Sequence, residues 1–171
     1  TYNDINSGSS SFSLGTNIPL FTGLELPNQY ALTKLNLKAA IEDLNKAKED
    51  LAELWRRIVF SMAVSNTDDH FRNHGFILTE DGWRLSPMYD VNPDIYGENL
   101  SLNVDEYDSS IDFNLAIEAS SYYGLSSKEA EDGVDEIKKI VKNNWQRLAK
   151  DYDISRGQIE KMKPAFRECE Y

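Results

Sequence analysis

The sequence predicts a mainly helical domain with one small β-ribbon, an α+β fold, and three observations support that prediction. Apolar residues recur three to four positions apart over several long stretches, which is the period of an amphipathic helix. Two short β-type segments, at residues 75–79 and 83–88, are separated by a turn that contains glycine. The 171 residues include 40% hydrophobic ones, enough for one domain with a substantial core.

Residues 1–35 are predicted to form an irregular arm or linker. The serine- and glycine-rich composition of residues 7–11 is typical of flexible chain, and Pro19, Gly23 and Pro27 interrupt the stretch after it. A phosphate-cradling loop is the alternative, but the glycine spacings that such loops require do not occur here. We therefore expect the folded domain to comprise residues 36–171.

Two helices are predicted before residue 66. Asn36 is the expected N-cap of the first helix, whose apolar positions are Leu37, Ala40, Ile41, Leu44 and Ala47. Residues 50–53 have the spacing of a capping box and are expected to begin the second helix. Arg56 and Arg57 are expected on its solvent-facing or ligand-facing side. Its buried stripe is expected to comprise Leu51, Leu54, Trp55, Ile58, Val59 and Met62.

The ribbon is expected to lie on the helices, because two strands alone are unstable. Gly82 lies where its turn needs a positive φ angle.

Residues 94–110 are predicted to form a polar surface loop. Helix caps are expected at Asp112, Ser126 and Ser155, a helix stop at Gly124 and a kink at Pro164. Inward positions of the last two helices are Ala130, Val134, Ile137, Val141, Trp145, Leu148, Ile159, Met162 and Phe166. Trp55, Trp145, Tyr122 and Tyr123 are expected in the core.

Residues 66–73, Asn-Thr-Asp-Asp-His-Phe-Arg-Asn, form the stretch with the most chemistry. The chain offers Asp68, then Asn73, and then Asp90, which the ribbon returns to the same region. One carboxylate can orient a hydroxyl nucleophile, while an amide oxygen and a second carboxylate can hold Mg²⁺ on nucleotide phosphates. A solvated turn is the ordinary interpretation of an Asp-rich loop. The combination with a preceding apolar helix and a returning carboxylate favours a functional site.

A zinc site from His70, His74 and Asp90 is the rival interpretation. The two histidines are four residues apart and would share one side of a helix. Gly75 and the predicted strand after it argue against a helix at this position. Hard oxygen ligands therefore favour magnesium or manganese.

Composition excludes several classes of protein. The net charge of -11 argues against direct nucleic-acid binding, which needs clustered Lys and Arg. A single cysteine, Cys169, excludes an internal disulfide or a cysteine metal site and fits a reducing, cytoplasmic compartment. The chain contains no apolar run near the roughly 20 residues of a membrane span, so no membrane association is expected.

Residues 66–76, followed by Leu-Ser-Pro-Met-Tyr-Asp-Val-Asn-Pro at 85–93, resemble the catalytic motif of the HipA toxin kinases. The resemblance covers about residues 50–168 and implies the helical C-terminal lobe of a protein-kinase-like fold. It implies a serine/threonine kinase that uses ATP and Mg²⁺ on a protein substrate, acting as the toxin of a toxin–antitoxin module with a possible antitoxin partner.

The resemblance assigns roles to individual residues. Asp68 matches the catalytic base, and Asn73 and Asp90 match the two magnesium ligands. The nucleotide-site segment matches His70, Phe71, Arg72, Asn73, Tyr89 and Asp90. Arg72 stands where the family often has lysine, and His70 is expected to hydrogen-bond within the loop.

The chain departs from a complete kinase of this kind in one respect. Its nine glycines are scattered, and no lysine ends a β-type apolar run, so the phosphate-binding loop and strand lysine of an N-terminal lobe are not visible. We therefore expect the chain alone to be inactive and to need the missing N-terminal kinase lobe. A lipid or small-molecule kinase and a non-catalytic partner-binding fragment are the alternatives.

Overall fold

The computed structural model describes residues 26–80 and 82–170, with side chains from residue 34 onward. These residues are mainly helical with one two-stranded antiparallel ribbon, which confirms the predicted α+β class. The chain divides into two compact units, residues 1–40 and 41–171. The described part of the first unit is helical, and the candidate site lies in the second. Residues 1–25 of the predicted arm lie outside the described residues.

The first element is one continuous helix, α1, Leu26–Ala63. The predicted irregular structure of residues 26–35, the N-cap at Asn36 and the new helix at residue 50 are therefore wrong. Residues 36–53 contain no glycine or proline and are rich in helix-forming Lys, Ala, Leu and Glu, so nothing ends the helix there. Asp50 uses its carboxylate outside the helix, as an acceptor for the backbone N–H of Leu85 at 3.1 Å.

The buried stripe of α1 lies near its C-terminal end. Trp55, Val59 and Met62 are buried as predicted. Leu54 and Ile58 are half-buried, whereas Leu51 is exposed, contrary to expectation. The earlier apolar positions Leu37, Ile41 and Leu44 are also exposed.

The ribbon pairs β1, Phe76–Thr79, with β2, Gly82–Leu85, in antiparallel register. Both strands are shorter than predicted, and Gly82 has the expected positive φ of 107°. Arg57 holds the ribbon's exit to α1, because its Nη2 donates to the backbone oxygen of Ser86 at 2.7 Å. The expectation that Arg57 faces solvent or ligand is wrong, since its side chain is buried in this contact.

The segment after the ribbon is irregular, as predicted for residues 94–110, with one isolated bridge between Asn99 and Ser110. It is not wholly a surface loop, because Leu100 and Val104 are buried in the core. These two apolar side chains anchor the loop to the helices beneath it.

The remaining helices are α2, Phe113–Glu118, α3, Ser127–Asp151, and α4, Arg156–Met162. Their predicted caps are confirmed: Asp112 accepts from Asn114, and Ser126 and Ser155 form capping boxes. Single 3₁₀ segments follow α2 and α4, at Ala119–Tyr123 and Lys163–Cys169. Gly124 ends the first of them with a φ of 75°. The second carries Pro164 at its start, where α4 has already ended.

The core lies between α1, α2 and α3. The indole Nε1 of Trp55 donates to the backbone oxygen of Ala116 at 2.8 Å, which ties α1 to α2. The ring also lies over Gly133 of α3, where an added Cβ would come within 2.9 Å of it. The α3 stripe is buried as predicted from Ala130 to Trp145, but Leu148 is exposed.

The C-terminal segment closes the other side of α3. Trp145 stacks on Phe166 with ring centroids 4.2 Å apart. Cys169 lies buried against the backbone oxygen of Ala63, and burial raises the pKa of its thiol to about 11. The prediction for the tyrosine pair is half right, since Tyr123 packs against the core and Tyr122 is exposed.

Candidate functional site

The candidate site begins where α1 ends. Ser65 has a positive φ of 50°, a conformation in which the helix cannot continue, and the chain turns into residues 66–74. A single 3₁₀ turn, Phe71–Asn73, follows. The backbone N–H of Asn73 donates to the oxygen of His70 at 2.8 Å, so the loop is folded back on itself.

The two adjacent aspartates of this loop lie in different surroundings. Asp68 is exposed, so its carboxylate is accessible to a second molecule. Asp69 is only 6% exposed, and its Oδ1 lies 2.9 Å from Nε2 of His74. Asp68 is therefore the carboxylate of the pair that can meet an acceptor hydroxyl.

Asn73 is buried within the loop. Its Nδ2 lies 3.5 Å from the backbone oxygen of Asp68, which leaves the amide oxygen as the atom with which Asn73 can bind a cation. The contact also brings the Asn73 side chain beside the backbone of the candidate base.

The segment after the ribbon returns to this loop, and two of the hydrogen bonds that join them lie on either side of Asp90 in the chain. The hydroxyl of Tyr89 donates to the backbone oxygen of Arg72 at 2.6 Å. The backbone N–H of Asn92 donates to Oδ1 of Asn66 at 3.1 Å. Asp90 lies between these two contacts in the chain and so is held beside the loop.

Asp90 has a left-handed backbone conformation, with a φ of 57°. Aspartate is among the few residues that adopt it at modest cost, and such residues often occur at functional sites. The Asn92 side chain donates to its Oδ1 at 3.0 Å, which orients the exposed carboxylate. That Asp68, Asn73 and Asp90 share one cleft stays a prediction, supported by these contacts between their neighbours.

The other predicted nucleotide-site residues of the loop differ in exposure, since His70 is half-buried. Phe71 and Arg72 are exposed, and the guanidinium Nη2 of Arg72 lies 3.1 Å from Nε2 of His70. Because a guanidinium can only donate, Nε2 of His70 accepts and the imidazole proton is assigned to Nδ1. His70 therefore contacts a neighbour within the loop, as predicted.

The chain matches the model of the HipA-like C-terminal domain over residues 20–145. The chain belongs to this family. No curated protein and no solved structure matches it. The HipA-like match includes both the loop at 66–74 and the returning segment at 89–94, which are the two parts that the hydrogen bonds bring together.

The zinc alternative finds no support in this HipA-like domain. His74 contacts Asp69, and His70 contacts Arg72. Among the side chains described, those of residues 34–80 and 82–170, no group of three or more His, Cys, Asp or Glu is placed to hold a metal ion. The oxygens of Asn73 and Asp90 are the hard ligands that magnesium prefers.

Sequence reasoning missed the residues that support the loop. The sequence pattern assigns no role to Asp69, Asn66 or Asn92, yet each makes a hydrogen bond that shapes the site. The only available signal was the richness of polar residues around Asp68. That signal does not tell which carboxylate points inward, since the inward direction depends on where α1 and the ribbon lie.

Residues 94–101 cover Thr67 in the same region. Thr67 Oγ1 donates to Asp94 at 3.0 Å, and the pKa of the Asp94 carboxyl is lowered by hydrogen bonds from Tyr96 and Thr67. A Cβ added to Gly97 would lie inside the Thr67 side chain, so this position requires glycine. The close approach holds the start of the loop against the following segment.

A cavity of about 600 Å³ lies beside the inner side of the loop. Asp69 and His74 line it, whereas Asp68, Asn73 and Asp90 do not. Most of its lining is apolar and comes from Leu54, Ile58, Phe71, Phe76, Leu85, Leu100, Leu102 and Tyr123. A mostly apolar lining does not suit phosphate groups.

None of the helices in the described part of the chain is apolar over a membrane-spanning length.

Proposed function

We propose that the chain is the C-terminal catalytic lobe of a HipA-like serine/threonine kinase. It would transfer the γ-phosphate of ATP to a protein hydroxyl, as the cytoplasmic toxin of a toxin–antitoxin module. The observation that carries the proposal is the pair of hydrogen bonds joining residues 66–73 to residues 89–92. These contacts lie around the three side chains whose chemistry phosphoryl transfer needs.

Asp68 is the proposed catalytic base. Its exposed carboxylate would accept a hydrogen bond from the substrate hydroxyl and hold that oxygen in line for attack. Proton transfer by a positioned side chain contributes about 10²–10⁴ to a rate. Positioning supplies much of the rest in phosphoryl transfer.

Asn73 and Asp90 are the residues that would hold Mg²⁺. The ion would neutralise phosphate charge when bound. Asn73 is directed by its Nδ2 contact with the Asp68 backbone, and Asp90 by its hydrogen bond from Asn92. Arg72 lies at the exposed surface of the loop, where a guanidinium can pair with a phosphate oxygen. His70, Phe71 and Tyr89 would complete the nucleotide-facing surface.

The first test is a titration of this chain with ATP, with and without Mg²⁺. Wild type should bind weakly and only with magnesium, because half of the phosphate contacts are missing. Asp68→Ala should keep that binding, and Asp90→Ala should lose it. Asp153→Ala is the matched control, since Asp153 is an exposed aspartate with nearly the same φ, 58°.

The second test is a radiolabel transfer assay on this chain and on the longer encoded protein, if the gene extends upstream. We expect no detectable transfer by this chain alone. The longer protein should transfer phosphate, and Asp68→Ala should lower its rate about 10²–10⁴-fold. Equal loss of nucleotide binding in Asp68→Ala and Asp90→Ala would contradict the assigned roles, and robust Asp68-dependent transfer by the chain alone would contradict the need for a second lobe.

One observation favours a second candidate, a non-catalytic module that binds a partner polypeptide. Ile41, Leu44 and Leu51 of α1 recur at helical spacing and are each at least 41% exposed. Such a stripe is typical of a helix face that another protein covers. Magnesium-independent or absent nucleotide binding, together with loss of partner binding in Leu44→Glu, would favour this function over the kinase.

A further inference from the structure

The loop that carries Asp68 and Asn73 is supported by a buried polar network that the proposed chemistry does not use. At its centre, Oδ1 of Asp69 lies 2.9 Å from Nε2 of His74, and its Oδ2 accepts from Ser61 Oγ at 3.4 Å. A carboxylate only 6% exposed is costly unless hydrogen-bond donors surround it. The loop is therefore most stable in the arrangement that supplies both donors.

The position of this contact in the chain relates it to the site. Asp69 directly follows Asp68, and His74 directly follows Asn73. The contact between them closes a loop of six residues whose ends are next to the two candidate functional positions. Fixing Asp69 and His74 inward therefore fixes the directions in which their neighbours project.

The network continues from Asp69 to the segment that carries Asp90. Asn66 Nδ2 donates to Ser61 Oγ at 3.3 Å, and Asn66 Oδ1 accepts from the backbone of Asn92 at 3.1 Å. The side chain of Asn92 then donates to Asp90 at 3.0 Å. We call this the loop network; its members are Ser61, Asn66, Asp69, His74 and Asn92.

We propose that the Asp69–His74 contact is a positioning device that holds Asp68 and Asn73 in register with Asp90. The proposal rests on the proposed function for its consequence, and on the loop network for its geometry. Asp69 does not itself meet the substrate, because its carboxylate is buried and both oxygens accept hydrogen bonds within the loop network. His74 is held in the same way by its Nε2, which carries the proton because a carboxylate can only accept.

Amide hydrogen exchange on this chain tests the geometry without any need for activity. The amides of Asn73 and His74 donate to backbone oxygens within the loop, at 2.8 and 3.2 Å, and so report whether it stays closed. Asp69→Ala should speed their exchange by about tenfold or more, with exchange in α3 unchanged. Asp69→Asn keeps an acceptor oxygen for the imidazole and should restore most of the protection.

The control is Asp151→Ala, which removes an exposed carboxylate paired with Arg147 on α3. It should leave the loop amides unchanged. Unchanged exchange in Asp69→Ala, or equal acceleration in the loop and throughout α3, would overturn the proposal. If Asp69→Ala does not fold, His74→Ala removes the same contact and decides in its place. Where both fold, the double variant should exchange no faster than either single variant.

Phosphoryl transfer by the longer encoded protein tests the consequence. Asp69→Ala should lower kcat, and Asp69→Asn should recover part of it. In the Asp68→Ala background, Asp69→Ala should cause a smaller loss than in wild type, because the part of its effect that acts through Asp68 is already gone. An equal loss in the two backgrounds would show that Asp69 acts independently of Asp68 and would overturn the proposal. Absence of transfer by wild type would instead contradict the proposed function, while the exchange result still decides whether the loop network holds the loop.

Discussion

Helix α1 has two faces that stabilise different parts of the molecule. On one face Trp55, Val59 and Met62 are buried against α2, α3 and the C-terminal segment. On the other, Asp50, Arg57 and Ser61 are seven and four residues apart, so they lie on one side of the helix. Asp50 and Arg57 bond to the end of the ribbon and to the residue after it, and Ser61 belongs to the loop network.

The difference between the two faces shows that one set of residues stabilises the domain and another set fixes the positions of its parts. Apolar burial depends on area and is indifferent to direction, so the first face provides much of the stability. Hydrogen bonds contribute less each, but they depend on distance and angle. The second face therefore holds the end of the ribbon and the buried side of the loop in fixed positions.

The largest expected effect comes from removing the centre of the apolar face. Trp55→Ala should lower the free energy of unfolding by about 3–5 kcal/mol, because it empties a fully buried site and removes a hydrogen bond to Ala116. Urea unfolding measures the change. The control is Trp83→Ala on β2, where the residue is 66% exposed and the change should stay within about 0.5 kcal/mol. Similar losses in the two variants would contradict the division between faces.

The next effect comes from the buried cation of the polar face. Arg57→Met keeps the side chain's bulk but leaves the backbone oxygen of Ser86 without its donor, which should cost about 2 kcal/mol in urea unfolding. Arg56→Met is the matched control, since Arg56 forms only an exposed pair with Glu136 and should change stability by less than about 1 kcal/mol. A neutral Arg57→Met would mean that the ribbon is held by its other contacts alone.

A smaller and more local effect is expected at Asp50. Its two carboxylate oxygens accept from the Arg84 side chain and the Leu85 backbone, so Asp50→Ala should release the end of β2 at a cost of about 1–2 kcal/mol. Faster amide exchange at Leu85, with α3 unaffected, is the measurement. Glu49→Ala removes only an exposed contact with Arg84 and should leave the Leu85 amide protected. If the Leu85 amide exchanges equally faster in both variants, the contacts of the Arg84 side chain, and not the Asp50–Leu85 hydrogen bond, hold the end of β2.

The smallest effect lies at the start of α3, which packs on the apolar face. Ser126→Ala removes the capping box and should cost about 1 kcal/mol, whereas Ser127→Ala should cost less. Hydrogen bonds from Ser126 lower the pKa of the Glu129 carboxyl. The stabilisation from the ionised Glu129 carboxylate is therefore complete above the pKa of glutamate in the unfolded chain, about 4.3. It is lost as the pH falls through the lower pKa that Glu129 has in the folded protein. Urea unfolding at pH 7 and pH 3 should show a smaller difference between Ser126→Ala and wild type at the lower pH.

The successes and failures of prediction depend on the range of the interactions involved. The caps at Asp112, Ser126 and Ser155 were predictable because each depends on residues within three positions. The helix start at residue 50 was wrongly predicted, although the residues match a capping box. Asp50 instead finds donors 34 and 35 residues away, on a strand whose position no local pattern reveals.

The sequence by itself determined the elements of this protein: an amphipathic helix, a loop rich in oxygen ligands, a turn with glycine and a carboxylate after it. The spacing of apolar residues, helix capping and turn formation each depend on residues a few positions apart, so they can be recognised in the sequence alone. Only the tertiary structure decided that Asp69 and not Asp68 is buried. It also decided that Arg57 donates to the backbone of Ser86 and that Asn66 accepts from the backbone of Asn92. Those outcomes depend on donors that lie far away in the chain, and a carboxylate's surroundings are set when the packed helices and ribbon bring those donors to it.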